Sequence, residues 1–161
     1  MANLVNIKIS NCYFIIVGDC LESNIKQKAK LIEYAKEKSI NLIITGWVKN
    51  PLTYVKRFNV CCLLSRWEGF GLAIPEYMYC KKPVVATNVD AIPEIIDDRY
   101  SGILVNMDDY ESAAFAVIKL IESQETRSTL AENAFKDVRT WYDEKRVVLQ
   151  TERLVSFLSD S

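Results

Sequence analysis

The chain has no histidine, and its five cysteines, Cys12, Cys20, Cys61, Cys62 and Cys80, lack the paired spacing of a metal-binding cluster. A mixed cysteine and histidine zinc site is therefore excluded, and the cysteines read as buried thiols of a reducing compartment. An excess of either charge is also missing, because 20 basic against 21 acidic residues leave a formal net charge of -1. Such a balance offers no broad electropositive surface, and no basic stripe points to nucleic acid as a partner. No apolar run approaches the roughly 18 residues that span a bilayer, and the first residues lack a charged segment followed by an apolar signal core. The expectation is a soluble, cytoplasmic chain. Lys26, Lys28, Lys30, Lys36 and Lys38 make a mildly basic helix face. It is readable as a peripheral contact with anionic membrane lipid or as an ordinary solvated surface.

What is present suffices for one globular domain, since the chain has 161 residues and half of them are hydrophobic. Short apolar runs alternate with segments of helical period. That pattern predicts a parallel sheet wrapped by helices, a doubly wound, Rossmann-like α/β fold. Strands are expected at 13–17, 40–45, 60–64, 83–86 and 103–105. Helices are expected at 23–37, 51–57, 74–80, 92–97, 110–122, 125–138 and 143–158. Ser23 and Asp109 stand where N-caps belong. Residues 4–9 alternate well enough to form one further strand.

In such a sheet ligands bind outside the carboxyl ends of the strands. The turns Gly18-Asp19, Gly46-Trp47-Val48, residues 65–72 and Thr87-Asn88-Val89-Asp90 are then expected to line one crevice. Gly18 and Gly46 have a second reading, as strand-end glycines that simply permit positive φ. The most informative of these turns carries two acids, Glu68 and Glu76, around Gly69-Phe70-Gly71-Leu72-Ala73-Ile74-Pro75. A strand that ends in a glycine-rich turn and feeds a helix leaves backbone N–H groups unpaired, and an anion is their natural guest. Pro75 is tolerated only in a first helical turn, which puts the helix start near Ile74. Carboxylates beside an anion suit neutral hydroxyls, which they accept at about 1.5–3 kcal/mol per hydrogen bond. A ligand with phosphate and sugar hydroxyls satisfies both demands. The plainer reading is that Glu76 complements the helix dipole and Glu68 is an exposed loop acid.

The run Ser65-Arg66-Trp67-Glu68-Gly69-Phe70-Gly71-Leu72, followed by Pro75-Glu76, resembles the signature of the retaining glycosyltransferases of family 4, in their C-terminal, nucleotide-sugar-binding domain. These enzymes have the two-domain GT-B fold. The resemblance continues through Lys82-Pro83-Val84-Val85-Ala86-Thr87, Ile92-Pro93-Glu94-Ile95-Ile96 and Ser101-Gly102-Ile103-Leu104-Val105. Upstream it includes Ile15-Ile16-Val17-Gly18 and Ile44-Thr45-Gly46-Trp47-Val48, so that it spans residues 13–145. It implies that Glu68 is catalytic and bonds sugar hydroxyls, and that Glu76 bonds the ribose hydroxyls. The amides of Gly69, Gly71 and Leu72 would meet the diphosphate or sugar, with Phe70 packed beneath the turn and Ser65 and Gly18 lining the crevice. Trp47 and Val48 would wall the nucleobase, although Trp47 reads equally as a core aromatic. The implied partner is a nucleotide diphosphate sugar. No cofactor and no metal are implied, since no Asp-x-Asp pair occurs.

The chain also departs from that pattern. Tyr77-Met78-Tyr79 replaces the usual Ala-Met-Ala, and Asp90-Ala91 replaces a Gly-Gly, which adds a negative charge near the phosphate site. The family's opening strand, with its Gly-Arg, Lys-Gly and helix, has no counterpart in the residues before Tyr13, and the resemblance leaves the N-terminal acceptor domain expected outside this chain. The expectation is a single donor-binding domain over 1–161, lacking that domain and the first strand-helix unit and inactive alone. The opening strand would sit between the strands at 13–17 and 60–64, and residues 4–9 are expected in its slot, as a hairpin partner or through a swapped homodimer. Two alternatives stand beside this reading. One is a non-catalytic nucleotide-binding or interaction module. The other is a different GT-B-type enzyme, an epimerase or phosphorylase, against which the paired acids and the lack of a pyridoxal lysine signal argue.

Overall fold

Runs rich in valine and isoleucine form the strands, and the segments between them wind back as helices on the two faces of the sheet. The structure is a computed structural model, and residues 1–141 are described. The helix expected at 143–158 lies outside them. In chain order the elements are α1 (Ala2–Lys8), β1 (Tyr13–Ile16), α2 (Ile25–Glu37), β2 (Asn41–Ile44), α3 (Leu52–Val55) and β3 (Cys61–Leu63). They continue as α4 (Ala73–Tyr79), β4 (Val84–Thr87), α5 (Ile92–Ile95), β5 (Ile103–Val105), α6 (Tyr110–Glu122) and α7 (Gln124–Trp141).

Every strand pairing is parallel. Tyr13 lies opposite Asn41 in β1 and β2, Cys61 opposite Val84 in β3 and β4, and Val85 opposite Ile103 in β4 and β5. The strands form two groups, β1-β2 and β3-β4-β5. All four residues of β4 are buried, as a central parallel strand covered on both faces requires. On one face Val85 and Val105 meet Val5 of α1 and Ala113, Val117 and Leu120 of α6, joined by Phe14 and Cys62 from both strand groups. On the other face Val84 and Ala86 meet Ile74 and Met78 of α4, Ile92 of α5 and Ala134 and Val138 of α7. Two packed faces make the fold a doubly wound α/β structure, as expected for one half of a GT-B arrangement. Each fully buried side chain such as Leu120 contributes about 1.5–3 kcal/mol. Asp109 caps α6 by accepting from the Ser112 amide at 2.9 Å.

Residues 4–9 are not a strand. Met1, Val5 and Ile9, four apart, place one helical face against the α6 layer, with Val5 fully buried and Ile7 76% exposed. Strand alternation would have turned Val5, Ile7 and Ile9 to the same side. The hairpin with β1 is therefore absent: β1 pairs only with β2, and β3 only with β4, among the described residues. Ser23 does not cap α2 either. It lies in a 3-10 turn, Glu22–Asn24, closed by the Asn24 amide on the Leu21 carbonyl, and α2 starts at Ile25.

Along α2 the lysines are interleaved with Glu33 and Glu37, and Lys28 and Lys38 are paired with Asp19 and Glu37 at 2.6 and 2.8 Å. Among the described residues no helix is long and apolar enough to cross a membrane.

Candidate functional site

The turn after β3 is built from hydrogen bonds that cross the sheet. Thr87, the buried last residue of β4, donates its hydroxyl to the Ser65 carbonyl at 2.6 Å, which fixes where the chain leaves β3. Ser65 Oγ then donates to Glu68 Oε1 at 2.7 Å. An ionised carboxylate has about four acceptor sites, so one bond to Ser65 orients Glu68 without exhausting it. The Glu68 amide donates to Asp90 Oδ2 at 2.8 Å, tying the turn to the one after β4. Arg66 points elsewhere, to Asp108 at 3.2 Å, where the Tyr110 hydroxyl also donates at 2.8 Å.

Gly71 turns the chain into α4 with a φ of +70°, a left-handed conformation that glycine adopts without cost. Ile74, Ile92 and Leu63 lie 3.5–3.8 Å from where its Cβ would stand, so the space under the turn is already filled. Phe70, expected beneath the turn, is instead 47% exposed. The amides of Gly69, Gly71 and Leu72 have no hydrogen-bond partner among the described residues. These donors belong to the turn, because α4 begins only at Ala73. Glu76 stands exposed in the first turn of α4. Tyr77 beside it is largely enclosed, and burial pushes its phenol up to about 12, so the hydroxyl stays neutral.

The other strand ends form a second cluster. Gly18 and Gly46 face each other in an isolated bridge, and the Gly18 amide donates to Thr45 Oγ1 at 3.2 Å. Their φ values of +135° and +71° give both glycines a conformational reason to be there. Val48 is half-buried, whereas Trp47 is 75% exposed and so is no core aromatic. Asp19 lines a 410 Å³ cavity together with Ile16, Cys20, Lys28, Leu31 and Ile44. Its carboxyl is held below the ordinary range by the Lys28 hydrogen bond.

Hydrogen bonds thus bring Ser65, Glu68, Thr87 and Asp90 together, and separately Gly18, Thr45 and Gly46. The links from Glu68 to Asp90 and from Arg66 to Asp108 carry no local sequence signal, since their partners are 22 and 42 residues apart. Lys28 was missed because nothing around it marks a partner for Asp19.

Comparison with known proteins places the chain among glycosyltransferases. An uncharacterized glycosyltransferase of Methanocaldococcus jannaschii is 32% identical over 108 residues, covering 67% of this chain and 30% of that protein. N-acetyl-alpha-D-glucosaminyl L-malate synthase of Bacillus anthracis is 33% identical over 113 residues, covering 70% of this chain and again 30% of its own length. The chain therefore spans less than a third of these relatives. The crystal structure of Anabaena HepE in complex with UDP superposes with a TM-score of 0.86 at 22% identity, covering 99% of this chain and 44% of that one, a likeness of fold. The family described as "Glycosyl transferases group 1" matches residues 1–137, and the chain belongs to it.

Proposed function

We propose that this chain is the donor-binding, C-terminal portion of a retaining, metal-independent glycosyltransferase of family 4, which moves a sugar from a nucleotide diphosphate sugar to a glycan or other acceptor. The observation that carries the reading is the turn after β3. There an oriented acid, Glu68, three amides without a partner among the described residues and an exposed second acid, Glu76, follow one another within nine residues. Unpaired amides suit a diphosphate, and carboxylates suit hydroxyls, so one ligand with both groups uses the whole turn. Support also comes from family membership and from the UDP carried by HepE, a protein of the same fold.

In this reading Glu68 accepts sugar hydroxyls at the reacting end and Glu76 the ribose hydroxyls. Val48 and the exposed Trp47 wall the base. When the bond from the sugar to the diphosphate breaks, the electron pair leaves with the phosphate oxygen, and turn amides stabilise that charge. The acceptor oxygen forms the new bond on the same face of the sugar and gives up its proton to the departing phosphate oxygen. The acceptor itself would be held by a further domain, and the chain alone is expected to be inactive.

The test is a titration with uridine and guanosine diphosphates, observed by NMR on the ligand. Binding of at least one is expected, and Glu76→Ala should weaken it by about 1–3 kcal/mol through lost ribose bonds. Unchanged affinity in the variant would make Glu76 a partner of the helix dipole alone.

A further inference from the structure

At the Glu68 turn one amide is already occupied, and the occupant is an anion belonging to the chain. Asp90 Oδ2 accepts the Glu68 amide at 2.8 Å from across the sheet, 22 residues away. To reach it Asp90 adopts a φ of +47°, a region that aspartate tolerates better than most residues. Asp90 is exposed and has no basic partner: the ion pairs among the described residues join Asp19, Glu37, Asp98, Asp108 and Glu132 to other lysines and arginines. Among the described residues its charge is therefore unpaired, and it stands at the head of a turn whose Gly69, Gly71 and Leu72 amides have no partner there.

We infer that Asp90 is a built-in competitor for this turn: its carboxylate takes the first amide and opposes any anion that approaches the amides after it. The inference rests on the reading of the turn as the diphosphate site and adds its regulation. A ligand must either displace Asp90 from the Glu68 amide or bind against its charge. Its hydroxyl-bearing end is favoured next to Asp90 and its phosphate end is pushed away, so Asp90 also orients what binds. Because the same hydrogen bond holds the backbone of Glu68, release of Asp90 frees the loop that carries the acid.

The experiment uses the full chain and inorganic pyrophosphate, followed through the amide resonances of Glu68, Gly69, Gly71 and Leu72. Asp90→Asn keeps an acceptor for the Glu68 amide and removes the charge. Asp90→Gly removes both and suits the positive φ, which keeps the test valid if asparagine loosens the turn. Asp90→Asn is expected to bind pyrophosphate about tenfold more tightly than the wild type at low salt, the size of one screened charge repulsion. The gap should narrow with salt, because the Debye length falls from about 30 Å at 0.01 M to about 3 Å at 1 M. A merely structural role for Asp90 would give no such salt dependence. Equal or weaker binding in both variants, a gap indifferent to salt, or no amide shift in any of the three proteins would overturn the inference. Uridine diphosphate binding Asp90→Asn no better than pyrophosphate would instead overturn the nucleotide reading and leave the role of Asp90 standing.

Discussion

Truncation of two neighbouring side chains in α1 distinguishes a helix from a strand at the start of the chain. Val5 is fully buried in the layer shared with α6, while Ile7 is 76% exposed. Val5→Ala removes two methyl groups from that layer, worth about 1.6 kcal/mol in transfer alone at about 0.8 kcal/mol each, and a residual cavity raises the cost to about 2–3 kcal/mol. Ile7→Ala removes atoms that already face solvent and should stay within about 0.5 kcal/mol. In urea melts the Val5 variant should shift its midpoint with an unchanged slope, and its melting temperature should fall by about 4–12 °C, at about 2–4 °C per kcal/mol for a domain of this size. Were residues 4–9 a strand, Val5 and Ile7 would share a face and their truncations would cost alike. An Ile7→Ala cost equal to that of Val5→Ala would refute the helical packing.

Three more substitutions test the turn and the core. Gly71→Ala forces a left-handed φ on alanine at about 1–2 kcal/mol, while Ile74, Ile92 and Leu63 stand at ordinary contact distance from the new methyl group. Gly69→Ala meets nothing within 4 Å and should be neutral, so equal costs in urea melts would contradict the backbone assignment. Burial pushes the Cys62 thiol up to about 12. Its native value is thus raised above the unfolded one, so its contribution to stability is complete below an unfolded pKa of about 8.5 and is lost as pH rises beyond it. The denaturation midpoint should decline from about pH 8 to pH 10, less steeply in Cys62→Ala; identical slopes would contradict the buried thiol.

Much of the fold was legible because the strands are short apolar runs with clear gaps. The span of α6 was read to the residue, since Asp109 is a strong cap and Ala113, Val117 and Leu120 recur at helical spacing. The segment at 4–9 was not legible. Leu4, Val5, Ile7 and Ile9 fit alternation, and with Met1 they also fit a repeat of four, so only the contact with α6 decides. Ser23 has the right chemistry for a cap, but a 3-10 turn absorbs it. At the site, the local motif from Ser65 to Glu76 announced its acids and its glycine-rich turn, but not the left-handed φ of Gly71. The exposure of Phe70 was not legible, and the packing of side chains from β3, α4 and α5 around Gly71 is likewise tertiary and reported by no local pattern. The negative charge of Asp90 was visible in the sequence, but its seat on the Glu68 amide arises only when the ends of β3 and β4 are brought side by side.

That a nucleoside diphosphate docks on the turn between Glu68 and Glu76 is tested most directly by mapping amide shifts of the isotope-labelled chain during titration with uridine diphosphate. The expected result is a set of perturbations concentrated at Glu68, Gly69, Gly71, Leu72 and Glu76, with a second group at Trp47 and Val48 from the base. Perturbations confined to another region, such as the cavity beside Lys28 and Leu31, would contradict it. So would a spectrum that does not move at all.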